Sequence, residues 1–336
     1  MATAETPFLQ TVRSDLVSRR ERLESVMEHN HSEQLSDLLA QVDQALARLD
    51  HGTLGVCEVC HGTVEEERIL RDPLTSVCLD CLTPNQQRAL EYDLELAARI
   101  QNGLLPAPNI SIPGFEVAYH YRPAGVVGGD YCDVIADDRG GVYFIIADVA
   151  GKGVAAAMLT ANLRAVMRAL VPLNLPLERM LAQANRLFCE SKLPMQYATL
   201  VVGHSSKTGN LELVNAGHLP ALMVRGSHVE CFDSNDLPLG LFSDQEFNVV
   251  RTQLGPKDSL VLYTDGVSEA ENPAGEEYGR DALRTLLEQT GICCPERVVE
   301  TCKQQVEQFR SGSARADDET LLVIQYAGAG STVAVM

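Results

Sequence analysis

Four acidic segments carry the residue types and spacings that could do chemistry. They are Val127-Gly-Gly-Asp130-Tyr-Cys-Asp133, Gly141-Val-Tyr-Phe-Ile-Ile-Ala-Asp148-Val-Ala-Gly-Lys-Gly153, Leu260-Val-Leu-Tyr-Thr-Asp265-Gly-Val-Ser-Glu269 and Asp317-Asp-Glu-Thr-Leu-Leu-Val-Ile. In each, a carboxylate stands beside glycine or at the margin of an apolar run that reads as a buried strand. One Asp-Gly is an ordinary turn signal. Four such acids in one chain point instead to carboxylates converging on a hard cation, the arrangement that metal-assisted hydrolysis needs. Asp148 is the pivot of the set. It lies several residues too early to cap the helix expected from Val154. Gly151-Lys-Gly153 also lacks the G-x-x-x-x-G-K-[ST] spacing of a nucleotide loop.

A second constellation is built from sulfur. Cys57-Glu-Val-Cys60 is followed, after 17 residues, by Cys78-Leu-Asp-Cys81. Two such knuckles can close a tetrahedral four-thiolate site, which suits zinc, and with every position filled by sulfur the ion is structural. A redox pair or a disulfide is the competing reading; one redox motif does not require two knuckles, and a reducing compartment disfavours lasting disulfides. Cys132, Cys189, Cys231 and Cys302 sit in mostly apolar contexts and read as core thiols.

The elements that must position these groups follow from periodicity. Leu9, Val12, Leu16, Leu23 and Val26, then Leu35, Leu38, Val42, Ala45 and Leu49, describe two helices with a phase break at Glu28-His-Asn-His-Ser32. A helical hairpin and an intermolecular coiled coil fit equally well. From Thr83-Pro84 a further helix carries Leu90, Leu94, Ala97, Ile100 and Leu104 on one face and ends between Gly103 and Pro108. It reads as a transmission element or as an ordinary helix packed on its own domain. Beyond it, strands are expected at 115–123, 130–136, 141–149, 197–205, 211–216, 220–225, 228–233, 247–254, 259–264 and 320–327, with helices at 153–170, 176–191, 278–289 and 295–310. Runs of strands enclosing paired helices argue an α+β layered fold. The expected domains are 1–51 hairpin or coiled coil, 52–82 finger, 83–107 linker helix, 108–328 catalytic domain and 329–336 tail.

The formal charge of −19 over 336 residues argues against a broad nucleic-acid surface, which calls for basic patches. No leader pattern and no run near the roughly 20 apolar residues of a spanning helix is evident. A cytoplasmic protein without nucleic-acid or membrane partners is therefore expected. His218, in Asn215-Ala-Gly-His218-Leu-Pro220, has no Ser or Cys partner at a telling spacing and reads as a hydrogen-bonded structural residue.

Gly128-Gly-Asp130-Tyr, Asp148-Val-Ala-Gly-Lys-Gly153, Asn215-Ala-Gly-His218-Leu-Pro220, Leu262-Tyr-Thr-Asp265-Gly-Val-Ser-Glu269-Ala and Asp317-Asp-Glu-Thr320 resemble, in order, the motifs of the metal-dependent serine/threonine protein phosphatases, in their bacterial sporulation stage II protein E branch. The resemblance runs over about residues 90–328. It implies two packed, mainly antiparallel sheets flanked by helices. It further implies that Asp148 bridges two Mn2+ or Mg2+ ions, the carbonyl of Val149 joins one, Asp265 and Asp317 hold the other, and Asp130 acts directly or through water. A metal-bound hydroxide then attacks phosphorus in line without a phosphoenzyme. The implied partner is a phosphoprotein of the anti-sigma-antagonist type. Arg48-Leu-Asp-His-Gly-Thr-Leu-Gly-Val-Cys57 through Cys81 resembles the DksA/TraR zinc-finger family, some members of which enter an RNA polymerase channel by an acidic hairpin tip. Here the tip is His29-Asn-His-Ser32, so the module reads as a regulatory or dimerising device, giving a homodimer through N-terminal or linker helices.

Two positions depart from the better-known phosphatases. Ala150 stands where they carry a histidine after the bridging acid, and 125–129 contain no phosphate-binding arginine; Arg122 is the nearest candidate, and Lys152 reads as solvated. The rival reading is a zinc-finger adaptor or polymerase binder with a non-catalytic phosphatase-like domain.

Overall fold

The computed structural model describes residues 7–27, 33–107, 110, 112–192, 195–291 and 293–328. They divide into two compact units, residues 1–93 and 94–336.

The first unit holds α1 (Pro7–Met27), α2 (Glu33–Asp50), α3 (Glu66–Arg71) and the start of α4 (Pro84–Leu104). Arg13 pairs with Asp50 at 2.7 Å and Arg20 with Asp43 at 3.1 Å, a descending register that makes α1 and α2 an antiparallel hairpin within the chain. Val12 and Leu16 of α1 and Val42, Ala45 and Leu49 of α2 bury the stripe that the 3-4 rhythm sets up. Cys57, Val64, Ile69 and Cys78 belong to the same core, so hairpin and finger stabilise one another by a shared apolar interior. The tip residues 28–32 lie outside the described residues.

The second unit contains β1 (Phe115–Arg122), β2 (Asp130–Ala136), β3 (Val142–Val149), α5 (Gly153–Leu170), α6 (Leu177–Ser191), β4 (Ala198–Ser205), β5 (Asn210–Ala216), β6 (Ala221–Arg225), β7 (His228–Phe232), β8 (Val250–Gln253), β9 (Ser259–Tyr263), α7 (Asp265–Ser268), α8 (Arg280–Thr290), α9 (Pro295–Arg310) and β10 (Glu319–Tyr326). Two antiparallel five-stranded sheets, ordered β1-β10-β9-β6-β7 and β2-β3-β4-β5-β8, pack face to face. Helices α5 and α6 cover the outer face of the second sheet, and α8 and α9 that of the first.

Strand parity explains the apolar runs. Val142, Phe144 and Ile146 of β3 face the interior between the sheets, while Tyr143, Ile145, Ala147 and Val149 face α5 and α6. Both faces are buried, so the sequence is continuously apolar rather than alternating. Gly203 of β4 lies under the Phe144 ring, where a β-carbon would overlap ring atoms. Gly151 and Gly153 adopt φ of 112° and 70°, a region side chains disfavour, and this turns the chain from β3 into α5.

The segment Gly153–Leu173 is long and apolar enough to span a membrane by length and composition, contrary to the expectation that no run comes near. Its Leu159, Leu163, Met167 and Leu170 are instead spent on the sheet, as in a core helix. The four-residue α7 was not expected from periodicity, which a single turn cannot display. The stripe expected on α4 also differs: Leu90 and Ile100 are 43% and 59% exposed, whereas Gln101 is buried.

Gly203→Ala in the full-length protein should cost about 1–3 kcal/mol of stability, the usual range for overpacking a core. Adding Phe144→Leu should restore part of it. Urea unfolding checks this, and an unchanged midpoint in the single variant would contradict the packing.

Candidate active site and thiolate centre

The same parity carries Asp148 onto the inward face of β3, in line with Phe144 and Ile146, at the strand's final turn. Asp130 opens β2 directly opposite it in the ladder, so the two carboxylates share a face. Asp265 follows the end of β9, and Asp317 and Asp318 precede β10, which is antiparallel to β9. Four strand ends thus deliver their acids to one end of the sandwich.

Asp130 is the innermost, 3% exposed. Its Oδ2 accepts the hydroxyls of Thr264 at 2.8 Å and Thr320 at 2.5 Å, and Thr264 Oγ1 in turn accepts the Thr320 amide at 3.0 Å. Burial, and then the charge of Asp148, pushes its carboxyl well above the usual range, against the pull of the two threonines. Burial followed by Asp265, Asp317 and Asp318 raises Asp148 to about 7. Asp265 is raised by burial and by Asp317.

Asp318 has a different task from its neighbour. Its Oδ1 accepts the amide of Ala124 at 2.7 Å and its Oδ2 that of Gly129 at 2.6 Å, closing the loop that leads into Asp130. A β-carbon on Gly128 would lie 2.5 Å from that Oδ2, and one on Gly129 2.9 Å from the Val149 carbonyl, so both positions demand glycine. Gln101 of α4 clamps Gly128 from the other side, donating to its carbonyl at 2.7 Å and accepting its amide at 3.0 Å. The carboxylate of Asp317 is turned to Lys152, 3.0 Å away, and is 42% exposed.

A cleft of about 220 Å³ opens over the acids, lined by Asp148, Thr199, Gly217, His218, Leu219, Asp265, Glu269 and Arg280. Asp317 lines an adjoining hollow of about 90 Å³ that Glu269 shares. His218 stands in the wall as a structural group. Its Nε2 donates to the Tyr263 carbonyl at 3.1 Å, which leaves Nδ1 to accept the Thr199 hydroxyl at 2.8 Å. Burial lowers its pKa to about 4, so the ring is neutral and ties β4 to β9. Ala150 donates its amide to the Tyr197 carbonyl at 2.9 Å. Arg122 sits on β1 opposite Glu319 and does not line the cleft.

The donor set fits hard divalent cations. Asp317 raises both Asp148 and Asp265, the donors of all three are oxygen, and Lys152 supplies one positive charge against three. Sequence reasoning missed Thr264, Thr320, Asp318, Gln101, Glu269 and Arg280 as working residues. Gln101 had a legible signal, an amide on the packed face that also carries Leu94, Ala97 and Leu104.

In the first unit the sulfurs of Cys57, Cys60, Cys78 and Cys81 lie within 4.8 Å of one another. Zinc–thiolate bonds of about 2.3 Å imply tetrahedral edges of about 3.8 Å, and the Cys60 and Cys78 sulfurs are 3.7 Å apart. The amide of Gly62 reaches Cys60 Sγ at 3.4 Å and that of Cys78 reaches Cys57 Sγ at 3.3 Å, which orients the ligands. Amide donors from Cys60 and Cys78 lower the Cys57 thiol to about 6, whereas burial raises Cys78 and the crowded Cys60 and Cys78 side chains raise Cys81 to about 12. The four cysteines fit a zinc finger.

Two antiparallel sheets enclosed by helix pairs, with acids gathered at one end, define the two-sheet fold of the metal-dependent phosphatases. Residues 138–327, more than half of the chain, match the family described as Stage II sporulation protein E (SpoIIE), and the chain belongs to that family. Residues 52–87 match the prokaryotic DksA/TraR C4-type zinc finger. The chain is 25% identical over 263 residues to Protein IcfG of Synechocystis sp., covering 69% of this chain and 41% of that protein. It is 25% identical over 238 residues to phosphoserine phosphatase RsbP of Bacillus subtilis, covering 69% and 57%. It thus spans about half the length of these relatives. The SiaA-PP2C domain of Pseudomonas aeruginosa shares the fold, with a TM-score of 0.63 at 20% identity over 71% of this chain and 98% of that one.

Cys78→Ser should strip bound zinc and loosen residues 50–82. Elemental analysis and protease susceptibility check this; zinc retained in the variant would contradict the site.

Proposed function

We propose that this protein is a metal-dependent phosphoserine/phosphothreonine protein phosphatase, cytoplasmic and regulatory, acting on a phosphorylated anti-sigma-antagonist-type protein in a bacterial signalling pathway. The observation that carries the reading is the convergence of Asp130, Asp148, Asp265 and Asp317 on one end of the sandwich, beneath a cleft, in a family that includes phosphoserine phosphatases.

Asp148, Asp265, Asp317 and the Val149 carbonyl would hold two Mn2+ or Mg2+ ions, with Asp130 behind them. Such ions supply a water acidic enough to attack phosphorus and the charge to neutralise the phosphoryl oxygens, with no phosphoenzyme. The chain's own part is geometric. Thr264 and Thr320 fix Asp130 in one rotamer, Asp318 and Gln101 lock the loop that carries it, and His218 braces the wall without titrating near neutrality. Ala150 offers no proton at the position where better-known relatives hold histidine.

The zinc finger, with one structural Zn2+, and its hairpin would act as a regulatory module through α4, whose Gln101 touches the Asp130 loop. Leu96 and Ile100, neighbours at i, i+4 on α4, are 42% and 59% exposed, an apolar pair suited to a homodimer.

Hydrolysis of an aryl phosphate by the full-length protein should require Mn2+, stop on EDTA, and fall at least a hundredfold in Asp148→Asn, since an amide cannot share two cations. Near-wild-type turnover in that variant would overturn the two-metal assignment. Absence of Mn2+-dependent hydrolysis in the wild type would favour the non-catalytic adaptor.

A further inference from the structure

We propose that Arg280 is the residue that binds the phosphoryl group of the substrate in this chain. The role rests on the phosphatase reading above and replaces the arginine that the segment 125–129 lacks.

A phosphomonoester dianion placed over Asp148 and Asp265 needs a cation on the opposite side, and the walls of the cleft narrow the choice. Arg280 is the one Lys or Arg side chain among the lining residues. His218 has both ring nitrogens engaged, by Thr199 and Tyr263, and has no donor left to offer. Lys152 is committed, donating to the Ala316 carbonyl at 2.6 Å and pairing with Asp317 at 3.0 Å. Arg310, in the adjoining hollow, is 3% exposed and held by Glu307 at 2.8 Å. Arg280, by contrast, makes no hydrogen bond or ion pair with any other described residue. Arg280 is exposed in a cleft otherwise lined by acids and neutral groups, and its charge there acts on that of Glu269 without a direct ion pair.

Its position is nevertheless fixed relative to the acids. The Gly279 amide donates to the Ser268 carbonyl at 2.7 Å and the Tyr278 amide to the Ala270 carbonyl at 2.9 Å. These bonds tie the start of α8 to the far end of α7, whose first residue is Asp265. Gly279 turns the chain at φ 85°, and Leu283 and Leu287 are buried and anchor the helix behind it. Stabilisation of α8 does not account for the residue, because a cation in the first turn of a helix faces the positive end of its dipole. A planar guanidinium that can give two parallel hydrogen bonds is the side chain best matched to a phosphate.

The test uses full-length Mn2+-loaded protein, with p-nitrophenyl phosphate, a phosphoserine peptide and inorganic phosphate as probes. In Arg280→Ala, KM for both esters and the inhibition constant of inorganic phosphate should rise together by roughly ten- to a hundredfold, the range of a lost charge-assisted bond. Arg280→Lys should recover part of that loss, and the Mn2+ concentration for half-activation should not move. Wild-type KM and phosphate inhibition in Arg280→Ala would overturn the proposal. A shifted Mn2+ requirement with unchanged KM would do so too, since the arginine would then be acting on the acids. Calorimetric binding of inorganic phosphate separates this proposal from the phosphatase reading. A wild type that binds phosphate, does not hydrolyse esters, and loses binding in Arg280→Ala would support Arg280 while sinking the phosphatase reading. A wild type that binds no phosphate at all would overturn both.

Discussion

The mutual repulsion of carboxylates at the mouth of the sandwich is the constraint on which the rest of this structure depends. Asp130 and Asp148 face each other across a ladder, and Asp265, Asp317 and Asp318 arrive from the other sheet. Water is largely excluded around Asp130, so each charge raises the cost of the next. The fold contains that tension with directed donors. Two threonine hydroxyls hold Asp130, two loop amides hold Asp318, and Lys152 stands against Asp317. What is left uncompensated is the space between Asp148, Asp265 and Asp317, where oxygen donors of high charge density are matched to divalent cations rather than to further protein groups.

Much of the fold was legible because both faces of each central strand are buried. The run Val142–Val149 could only be a sheet interior, and the Gly151 and Gly153 turn after it announced the helix. The acids were legible for a related reason, since an aspartate ending an apolar strand has no packing role. The supporting residues were not. Thr264 and Thr320 look like ordinary strand residues until the register of β9 and β10 brings their hydroxyls onto one carboxylate oxygen. Arg280 is separated from Asp265 by a loop whose path only backbone hydrogen bonds reveal. Gln101 was passed over in favour of Ile100 because hydrophobic periodicity weighs apolar side chains and ignores a buried amide that satisfies a backbone peptide.

The first unit follows the same economy of position. Four sulfurs within 4.8 Å fit a structural cation, and the apolar residues around them are supplied by α1 and α2 as well as by the finger itself. Hairpin and finger therefore stand or fall together. In the second unit, Gln101 on the last part of α4 reaches the peptide two residues before Asp130.

The central claim is that the acids form one site for a pair of divalent cations. Titrating the full-length protein with Mn2+, followed by calorimetry and electron paramagnetic resonance, tests it most directly. Two bound ions per chain with a spin-coupled spectrum, the coupling lost in Asp148→Asn, is the result the account predicts. A single uncoupled Mn2+ signal, or binding that survives Asp148→Asn unchanged, would contradict it.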